Sequence, residues 1–391
     1  MPDRLGEGSL GVSNWQHNMA GAIESVEVRV DDLKRRLGAR LGCSGAPIIL
    51  PFRSYGDANR LLVQGRVLEN KWLVPGAAED SIWKNLLSSY RRIESDEIPG
   101  ARLGAQYGDV NVEIISDEEG YFRVWLEGVN VQAQDGWVPV SLQLLRTQGD
   151  QAPGARETAE VLVPSPGAHF GIISDIDDTV MQTFATELVR MARLTFLGNA
   201  STRLPFPGVA AFYRALHLGT GSANPLFYVS SGPWNLYDLL IDFFRLQDIP
   251  AGPMFLRDWG ISRDDFLPWE HAHHKLEAIE ALFEFYGKLP FILIGDSGQQ
   301  DPEIYAEIVR RHGPRVLAVY VRDVSPATRR DAAINELAKE VVAAGSALIL
   351  AEDTLIMAQH AAANGWVAET TIADIERDVR ADAGRRSGRG R

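Results

Sequence analysis

Short apolar runs alternate with helical patterns in the second half of the chain, and this alternation most constrains the fold. The runs cover residues 170–174, 226–229, 291–294, 316–320 and 347–350. Amphipathic stretches such as 236–245, 275–285 and 302–311 separate them. Strands that are apolar throughout are buried on both faces, and helices between them cover a parallel sheet. The pattern therefore predicts an α/β fold built on a Rossmann-like parallel sheet.

The first half of the chain has a different pattern of apolar and polar residues. Short alternating runs between residues 47 and 164 predict a small β-sandwich, with a hairpin turn at 117–120 and a helical insertion at 81–93. Apolar residues recur every three or four positions from Ile23 to Leu37, which predicts an amphipathic helix. The predicted parts are an N-terminal segment with this helix (1–45), a β-sandwich-like accessory domain (46–165), the α/β domain (166–375) and an Arg-rich flexible tail (376–391).

Composition excludes several functional classes. The 391 residues carry a formal net charge of −13, which argues against a broad nucleic-acid surface. Cys43 is the one cysteine, so neither a disulfide framework nor a cysteine-based metal site is expected. Neither a membrane-spanning run nor a secretory signal is evident, so we expect a cytoplasmic protein. The Arg-rich tail is the local exception, and contact with anionic lipid or RNA is the alternative to a solvated end.

Polar side chains follow three of the apolar runs, where a parallel sheet binds its ligands. The segments are Asp175-Ile176-Asp177-Asp178-Thr179, Ser230-Ser231-Gly232-Pro233 and Gly295-Asp296-Ser297-Gly298-Gln299-Gln300-Asp301, and Lys275 opens a later helix. Carboxylates gathered at one edge repel each other unless a hard cation such as Mg²⁺ joins them. A serine hydroxyl and a lysine ammonium suit a phosphate dianion. The residues therefore predict Mg²⁺-dependent chemistry on a phosphate monoester.

These segments, in this order, resemble the haloacid-dehalogenase-like superfamily of aspartyl-phosphate phosphatases. Asp-Ile-Asp-Asp-Thr-Val, Ser-Ser-Gly-Pro-Trp-Asn and Gly-Asp-Ser-Gly-Gln-Gln-Asp look like the catalytic domain of the actin-patch-protein type of phosphatidate phosphatase. The resemblance covers about residues 170–355. It implies a phosphatidate phosphatase that releases diacylglycerol and phosphate, with a membrane lipid as substrate and peripheral contact with a membrane.

The resemblance also implies the catalytic roles. Asp175 would be the nucleophile, and Asp177 would protonate the leaving alkoxide and then activate water. Asp175, Asp296 and the backbone carbonyl of Asp177 would hold Mg²⁺. Lys275 would balance the charge of the nucleophile and the phosphate. Asp178 is interpreted as a solvated bystander.

Supporting roles follow by position in the same motifs. Ser231 would bind the transferring phosphoryl group, with Ser230 as its rival because a strand end is uncertain by a residue. Gly232 belongs to the same phosphate-binding loop. Thr179 would fix the turn after the first strand, and Asp301 would orient Lys275 or a metal-bound water.

Other interpretations stay open at this point. A related phosphatase could act on a soluble sugar phosphate or nucleotide. A non-catalytic phospho-acceptor would use similar residues, and a scaffold protein would rely on the β-domain. His271, His273 and His274 are expected to lie in a loop that contacts the substrate, with a zinc site as the alternative. The oligomeric state is undetermined by the sequence.

Overall fold

The structure, a computed structural model, describes most of the chain in eight stretches. These are residues 46–70, 97–131, 136–147, 154–180, 206–221, 223–257, 268–324 and 328–387. The predicted N-terminal helix around Ile23–Leu37 and the predicted helical insertion at 81–93 lie outside these residues.

Eight strands form two sheets in the first part of the described chain. They are β1 (Ala46–Phe52), β2 (Ser54–Tyr55), β3 (Arg60–Asn70), β4 (Arg102–Tyr107), β5 (Val110–Ile115), β6 (Tyr121–Glu127), β7 (Trp137–Arg146) and β8 (Arg156–Leu162). One sheet has the order β1-β3-β6 and the other β2-β8-β7-β4-β5. Buried residues alternate with exposed ones along β7, as expected for a strand with one face on the core. Both sheets contribute to one hydrophobic cluster, for example Leu61 and Val140.

The turn predicted at residues 117–120 is present, but it does not close a hairpin. The Asp117 carboxylate accepts hydrogen bonds from the Glu119 and Tyr121 amides at 2.9 and 2.8 Å, and Gly120 has a φ of +79°. The strands on either side, β5 and β6, belong to different sheets. The turn sequence fixes the local reversal, whereas partners for the two strands are chosen by burial against β4 and β3.

The second part is an α/β unit with a six-stranded parallel sheet. Its strands are β9 (Gly171–Asp175), β10 (Leu226–Pro233), β11 (Met254–Arg257), β12 (Phe291–Asp296), β13 (Val316–Arg322) and β14 (Leu348–Ala351). The order is β11-β10-β9-β12-β13-β14, and every neighbouring pair is parallel. This confirms the predicted α/β class and the five apolar runs. The sequence missed β11, a four-residue edge strand too short to show a pattern.

Seven α-helices accompany this sheet within the described residues. They are α1 (Val209–Leu218), α2 (Tyr237–Leu246), α3 (Pro268–Phe285), α4 (Asp301–His312), α5 (Thr328–Ala343), α6 (Thr354–Ala363) and α7 (Ile372–Ser387). None of the helices in these stretches is long and apolar enough to cross a bilayer. The prediction of a flexible tail from residue 376 is wrong as far as Ser387. Pairs one turn apart, such as Arg380 with Glu376, support α7.

Aromatic side chains join the two parts. The Phe52 ring stacks on Trp234 with 4.4 Å between centroids, and Tyr55 meets the edge of Phe285 at 5.0 Å. The Arg53 backbone N–H donates to the Tyr237 hydroxyl at 2.6 Å. Phe52 is therefore a member of the α/β core although it belongs to β1. The β-strands are packed directly against the end of β10, where the candidate site lies.

Candidate active site

Three neighbouring strands of the parallel sheet end at one edge and bring the predicted site residues together. Asp175 ends β9, Asp296 ends β12 on one side of it, and Ser230 lies near the end of β10 on the other. Asp175 and Asp296 are 1 % and 0 % exposed. Buried carboxylates at adjacent strand ends are costly unless a cation or hydrogen-bond donors compensate them, so the partners of each oxygen decide what the site can do.

Lys275 reaches this edge from α3 and joins two of the aspartates. Its Nζ lies 2.7 Å from Asp175 Oδ1 and 2.7 Å from Asp301 Oδ1, and Gln299 Oε1 lies 3.2 Å away. Burial raises the pKa of Asp175 well above its usual value, although Lys275 opposes the shift. Burial acts to lower the pKa of Lys275, but the Asp175 and Asp301 carboxylates outweigh it and raise that pKa. The Lys275 side chain therefore stays positively charged.

Asp296 is held by the loop that follows β12. Its Oδ1 accepts hydrogen bonds from the Gly298 and Gln299 backbone N–H groups at 2.7 and 2.9 Å. Asp301 Oδ2 in turn accepts from the Asp296 N–H at 3.2 Å. Burial, reinforced by Asp301, raises the pKa of Asp296 to about 7, against the opposing effect of Lys275 and the two amides. The orientation of Asp296 is set by its own loop.

The arrangement of carboxylates fits a divalent cation. One oxygen each from Asp175, Asp296 and Asp301 lies within 4.8 Å of the others. Asp175 Oδ2 and Asp296 Oδ2 are buried and have no hydrogen-bond partner among the described residues. Three buried carboxylates face the single positive charge of Lys275, and oxygen donors of this kind are the ligands Mg²⁺ prefers. The Asp177 backbone carbonyl, expected to reach the metal, accepts a hydrogen bond from Gln299 Nε2 at 3.2 Å.

The two serines after β10 have different environments. Ser230 Oγ donates to Asp177 Oδ2 at 2.7 Å and accepts from the Gly232 N–H at 2.9 Å. Ser231 Oγ is buried and makes no hydrogen bond to the described residues. Ser230 is thus occupied in positioning Asp177, while the hydroxyl of Ser231 remains available for another oxygen.

The role predicted for Thr179 is not supported by its contacts. Its hydroxyl is buried without a hydrogen-bond partner in the described part of the chain. The turn is instead closed by the Val180 N–H donating to the Ile176 carbonyl at 3.0 Å, with Asp178 in the left-handed region at φ +56°. Aspartate tolerates that conformation better than most residues. The backbone therefore makes the turn without the threonine side chain.

The histidines lie on α3 and not in the expected loop, and they form no metal cluster among the described residues. His273 pairs with Glu277 at 3.0 Å on an exposed face of α3. His274 is partly buried, and burial lowers its pKa. The side chain of His271 lies outside the described part. Within the described residues, the group whose ligand atoms lie close enough to share an ion consists of Asp175, Asp296 and Asp301. Because all three offer carboxylate oxygens, this group favours Mg²⁺ over zinc.

Two positioning residues were missed by the sequence analysis. Gln299 joins the Asp177 segment to Lys275 through its two side-chain hydrogen bonds. Arg330, from α5, donates to the Ser297 and Gln299 carbonyls at 2.8 and 2.6 Å and pairs with Glu303. Gln299 lies inside a motif already identified, so the motif was the signal. Arg330 is far from the site in sequence and carries no such signal.

We expect Arg330→Met to loosen the loop that holds Asp296. Losing these charge-assisted hydrogen bonds should lower the free energy of unfolding by about 1–3 kcal/mol. Hydrogen–deuterium exchange of residues 297–300 should become faster, because the Gly298 and Gln299 amides depend on that loop. Arg310→Met is the control, since Arg310 is largely exposed and pairs only one turn away with Glu307. Equal exchange in both variants would contradict the role of Arg330.

Comparison with known proteins adds to this geometry. Residues 170–323 match the family described as phosphatidate phosphatase APP1, catalytic domain. The chain is 32% identical over 153 residues to phosphatidate phosphatase APP1 of Saccharomyces cerevisiae, and 33% identical over 156 residues to an uncharacterized protein of Schizosaccharomyces pombe. Each match covers 39% of this chain and 25% of the relative, so the chain matches about a quarter of the length of these proteins.

Similarity to solved structures is weak by comparison. A carbohydrate acetylesterase from Xanthomonas citri is 11% identical, covers 75% of this chain and 74% of its own, and has a TM-score of 0.26. Nothing about fold or function follows from a score this low. The sequence match, in contrast, contains Asp175, Ser230, Lys275, Asp296 and Asp301. Residues 170–323 are therefore similar to the catalytic domain of APP1-type phosphatidate phosphatases.

Proposed function

We propose that this chain is a phosphatidate phosphatase that uses Mg²⁺ and an aspartyl-phosphate intermediate, on a haloacid-dehalogenase-like parallel sheet. The observation that carries the proposal is the state of Asp175. One of its buried oxygens is paired with Lys275, and the other is without a hydrogen-bond partner at the edge of the sheet. The family match supports phosphatidate as the substrate class. A cytoplasmic location and peripheral membrane contact stay predictions.

In the proposed first step, an Asp175 oxygen attacks the phosphorus in line with the leaving alcohol. A new oxygen–phosphorus bond forms as the bond to the leaving oxygen breaks. Asp177, in its protonated form, donates a proton to that oxygen, and its carboxyl group is oriented by the Ser230 hydroxyl. Ser231 is suited to donate a hydrogen bond to the transferring phosphoryl group. Diacylglycerol leaves, and the phosphoryl group stays on Asp175.

In the proposed second step, water replaces the nucleophile. Asp177 accepts a proton from the water, whose oxygen attacks phosphorus and breaks the bond to Asp175. Inorganic phosphate is released, and both aspartates return to their starting state. Lys275 keeps its charge throughout, because the carboxylates around it favour the ammonium form. The lysine therefore offsets negative charge in both steps without transferring a proton.

Asp175 and Asp296 are the residues that would hold Mg²⁺, because each has a buried oxygen without a hydrogen-bond partner. Such an ion supplies charge stabilisation at the phosphoryl oxygens. Asp301 contributes to the same acidic cluster but is already bound to Lys275 and to the Asp296 amide. We therefore assign Asp301 mainly to positioning Lys275.

The test is release of phosphate from p-nitrophenyl phosphate, dioctanoyl phosphatidate, and representative sugar phosphates and nucleotides. We expect hydrolysis with Mg²⁺, with phosphatidate as the preferred substrate. Chelation should reduce the rate by about tenfold or more, and Mg²⁺ should restore it better than Ca²⁺, whose longer bonds misplace the ligands. Restoration by Zn²⁺ alone would contradict the metal assignment. Phosphorylation without turnover would favour the phospho-acceptor alternative.

Asp177→Asn should lower kcat on phosphatidate by roughly 10²–10⁴-fold, the usual contribution of general acid–base catalysis. Asparagine can still accept the hydrogen bond from Ser230, so the segment should keep its conformation. The backbone carbonyl at this position is unchanged. The measurement is steady-state kinetics with Mg²⁺ titration, and we expect the apparent affinity for Mg²⁺ to be retained. A normal kcat in this variant would exclude Asp177 as the acid.

A further inference from the structure

A cleft of about 470 Å³ lies between the three-stranded sheet and the edge of the parallel sheet. One row of cross-strand neighbours, Phe52, Gln64 and Arg123, lines it from β1, β3 and β6. The opposite wall is formed by edge strand β11 (Met254–Arg257) and by residues of α3. Its volume is in the range of small-molecule sites, and its two walls come from different parts of the fold.

Two residues of the cleft lining are chain neighbours of candidate active-site residues. Trp234, which lines it, follows directly after the loop of Ser230 and Ser231, and His274, also in the lining, directly precedes Lys275. Arg66 on β3 donates to Asn235 Oδ1 at 2.9 Å. The three-stranded sheet is thus attached to the residues that follow the phosphate loop.

The lining combines aromatic rings with arginines. Phe52, Tyr121 and Trp234 supply apolar surface, and Phe52 stacks on Trp234. Arg123 and Arg257 supply guanidinium groups. An arginine side chain can only donate hydrogen bonds, so it selects oxygen acceptors. A ligand that carries acceptor oxygens next to an apolar portion matches both kinds of surface.

The carboxylates of the lining already have partners. Asp117 accepts hydrogen bonds from two backbone N–H groups of its own turn. Glu277 pairs with His273 at 3.0 Å. A guanidinium carries five N–H donors, so Arg123 keeps donors for an uncharged ester or an anion beyond its hydrogen bond to Tyr55.

His274 is a polar residue of the same lining. Its ring hydrogen-bonds the Phe255 backbone, while its Nε2 is buried and has no partner among the described residues. A buried nitrogen without a partner is costly unless a ligand or an ordered water supplies a hydrogen bond. His274 lies in the same lining as Arg257.

We propose that this cleft binds the leaving group of the substrate, an alcohol that carries carboxylic ester oxygens and an acyl chain. The inference rests on the proposed function and adds to it that the three-stranded sheet selects the substrate. The ester oxygens accept hydrogen bonds from Arg123, and the first part of the acyl chain packs on the aromatic rings. A small aryl phosphate reaches the catalytic aspartates without needing these contacts.

The test compares dioctanoyl phosphatidate with p-nitrophenyl phosphate in the full chain. For Arg123→Gln we expect the ratio of kcat/KM values, phosphatidate over aryl phosphate, to fall about tenfold through a higher KM for the lipid. Gln64 lies between Phe52 and Arg123 in the lining, so the larger ring of Gln64→Phe should narrow the cleft and lower the same ratio. Arg102→Gln removes an exposed arginine of β4 outside the lining and should leave the ratio unchanged.

The outcomes separate this inference from the proposed function. If the unmodified chain hydrolyses phosphatidate and both cleft variants keep its ratio, the leaving group binds elsewhere and the inference is wrong. If the two variants lose activity on both substrates equally, the cleft acts only structurally, which also overturns it. If the unmodified chain hydrolyses neither substrate with Mg²⁺, the proposed function fails and the inference fails with it.

Discussion

Asp175→Asn is expected to lower phosphate release with Mg²⁺ by about 10⁴-fold or more, to the background rate. The substitution removes the charge of the proposed attacking oxygen and one carboxylate of the acidic cluster. The fold should persist, because Lys275 keeps its contact with Asp301 and the neutral amide avoids the cost of a buried carboxylate. The measurements are phosphate release and a thermal unfolding curve followed by circular dichroism.

Asp178→Asn is the matched control for that variant. Asp178 is three residues along the same segment and has a φ of +56°, a conformation that asparagine adopts as readily as aspartate. Its turnover should stay within about threefold of the unmodified chain, because asparagine keeps the size and the backbone conformation of this half-buried residue. Near-normal turnover in Asp175→Asn would show that the reaction does not proceed through an aspartyl-phosphate at this position.

Lys275→Met should be strongly destabilising. Lys275 is 3 % exposed, and its ammonium lies 2.7 Å from an oxygen of Asp175 and of Asp301, which are themselves buried. Removing one member of a buried ionic cluster leaves the others uncompensated, a change that typically costs about 3–5 kcal/mol. The expected result is a matching fall in the free energy of unfolding, measured by urea denaturation at neutral pH with chelator present.

Lys339→Met gives the comparison for a solvent-exposed lysine. Lys339 pairs with Glu336 one turn away, and its side chain is 72% exposed. Exposed pairs of this kind contribute little, so the free energy of unfolding should change by less than about 1 kcal/mol. Equal destabilisation by the two substitutions would mean that the buried cluster does not depend on Lys275 for its charge balance.

The strand-end motifs could be predicted because their information is local. An uninterrupted apolar run predicts a strand of a parallel sheet, and the residues just after it then lie at the ligand-binding edge. This reasoning located Asp175, Asp296 and the serine pair before any tertiary contact was considered. It was less successful for β11, which is short, and for the tail, where a mixed-charge segment with pairs one turn apart forms α7.

The choice between Ser230 and Ser231 needed the structure. Successive side chains of a strand point to opposite faces, so an uncertainty of one residue at the strand end reverses the assignment. The pairing of Val229 with Asp175 fixes the register of β10 against β9. In that register Ser230 reaches Asp177, and Ser231 keeps an unpartnered hydroxyl.

The sequence by itself determined the α/β class, the order of the candidate motifs and the residue types at the sheet edge, because periodicity and strand ends are encoded over a few residues. Only the tertiary structure decided which oxygens are paired, that Arg330 holds the Asp296 loop, and that Phe52 and Arg123 line a cleft between the two parts of the fold. Those contacts join residues far apart in the chain. They depend on how helices and sheets pack, which no local pattern specifies.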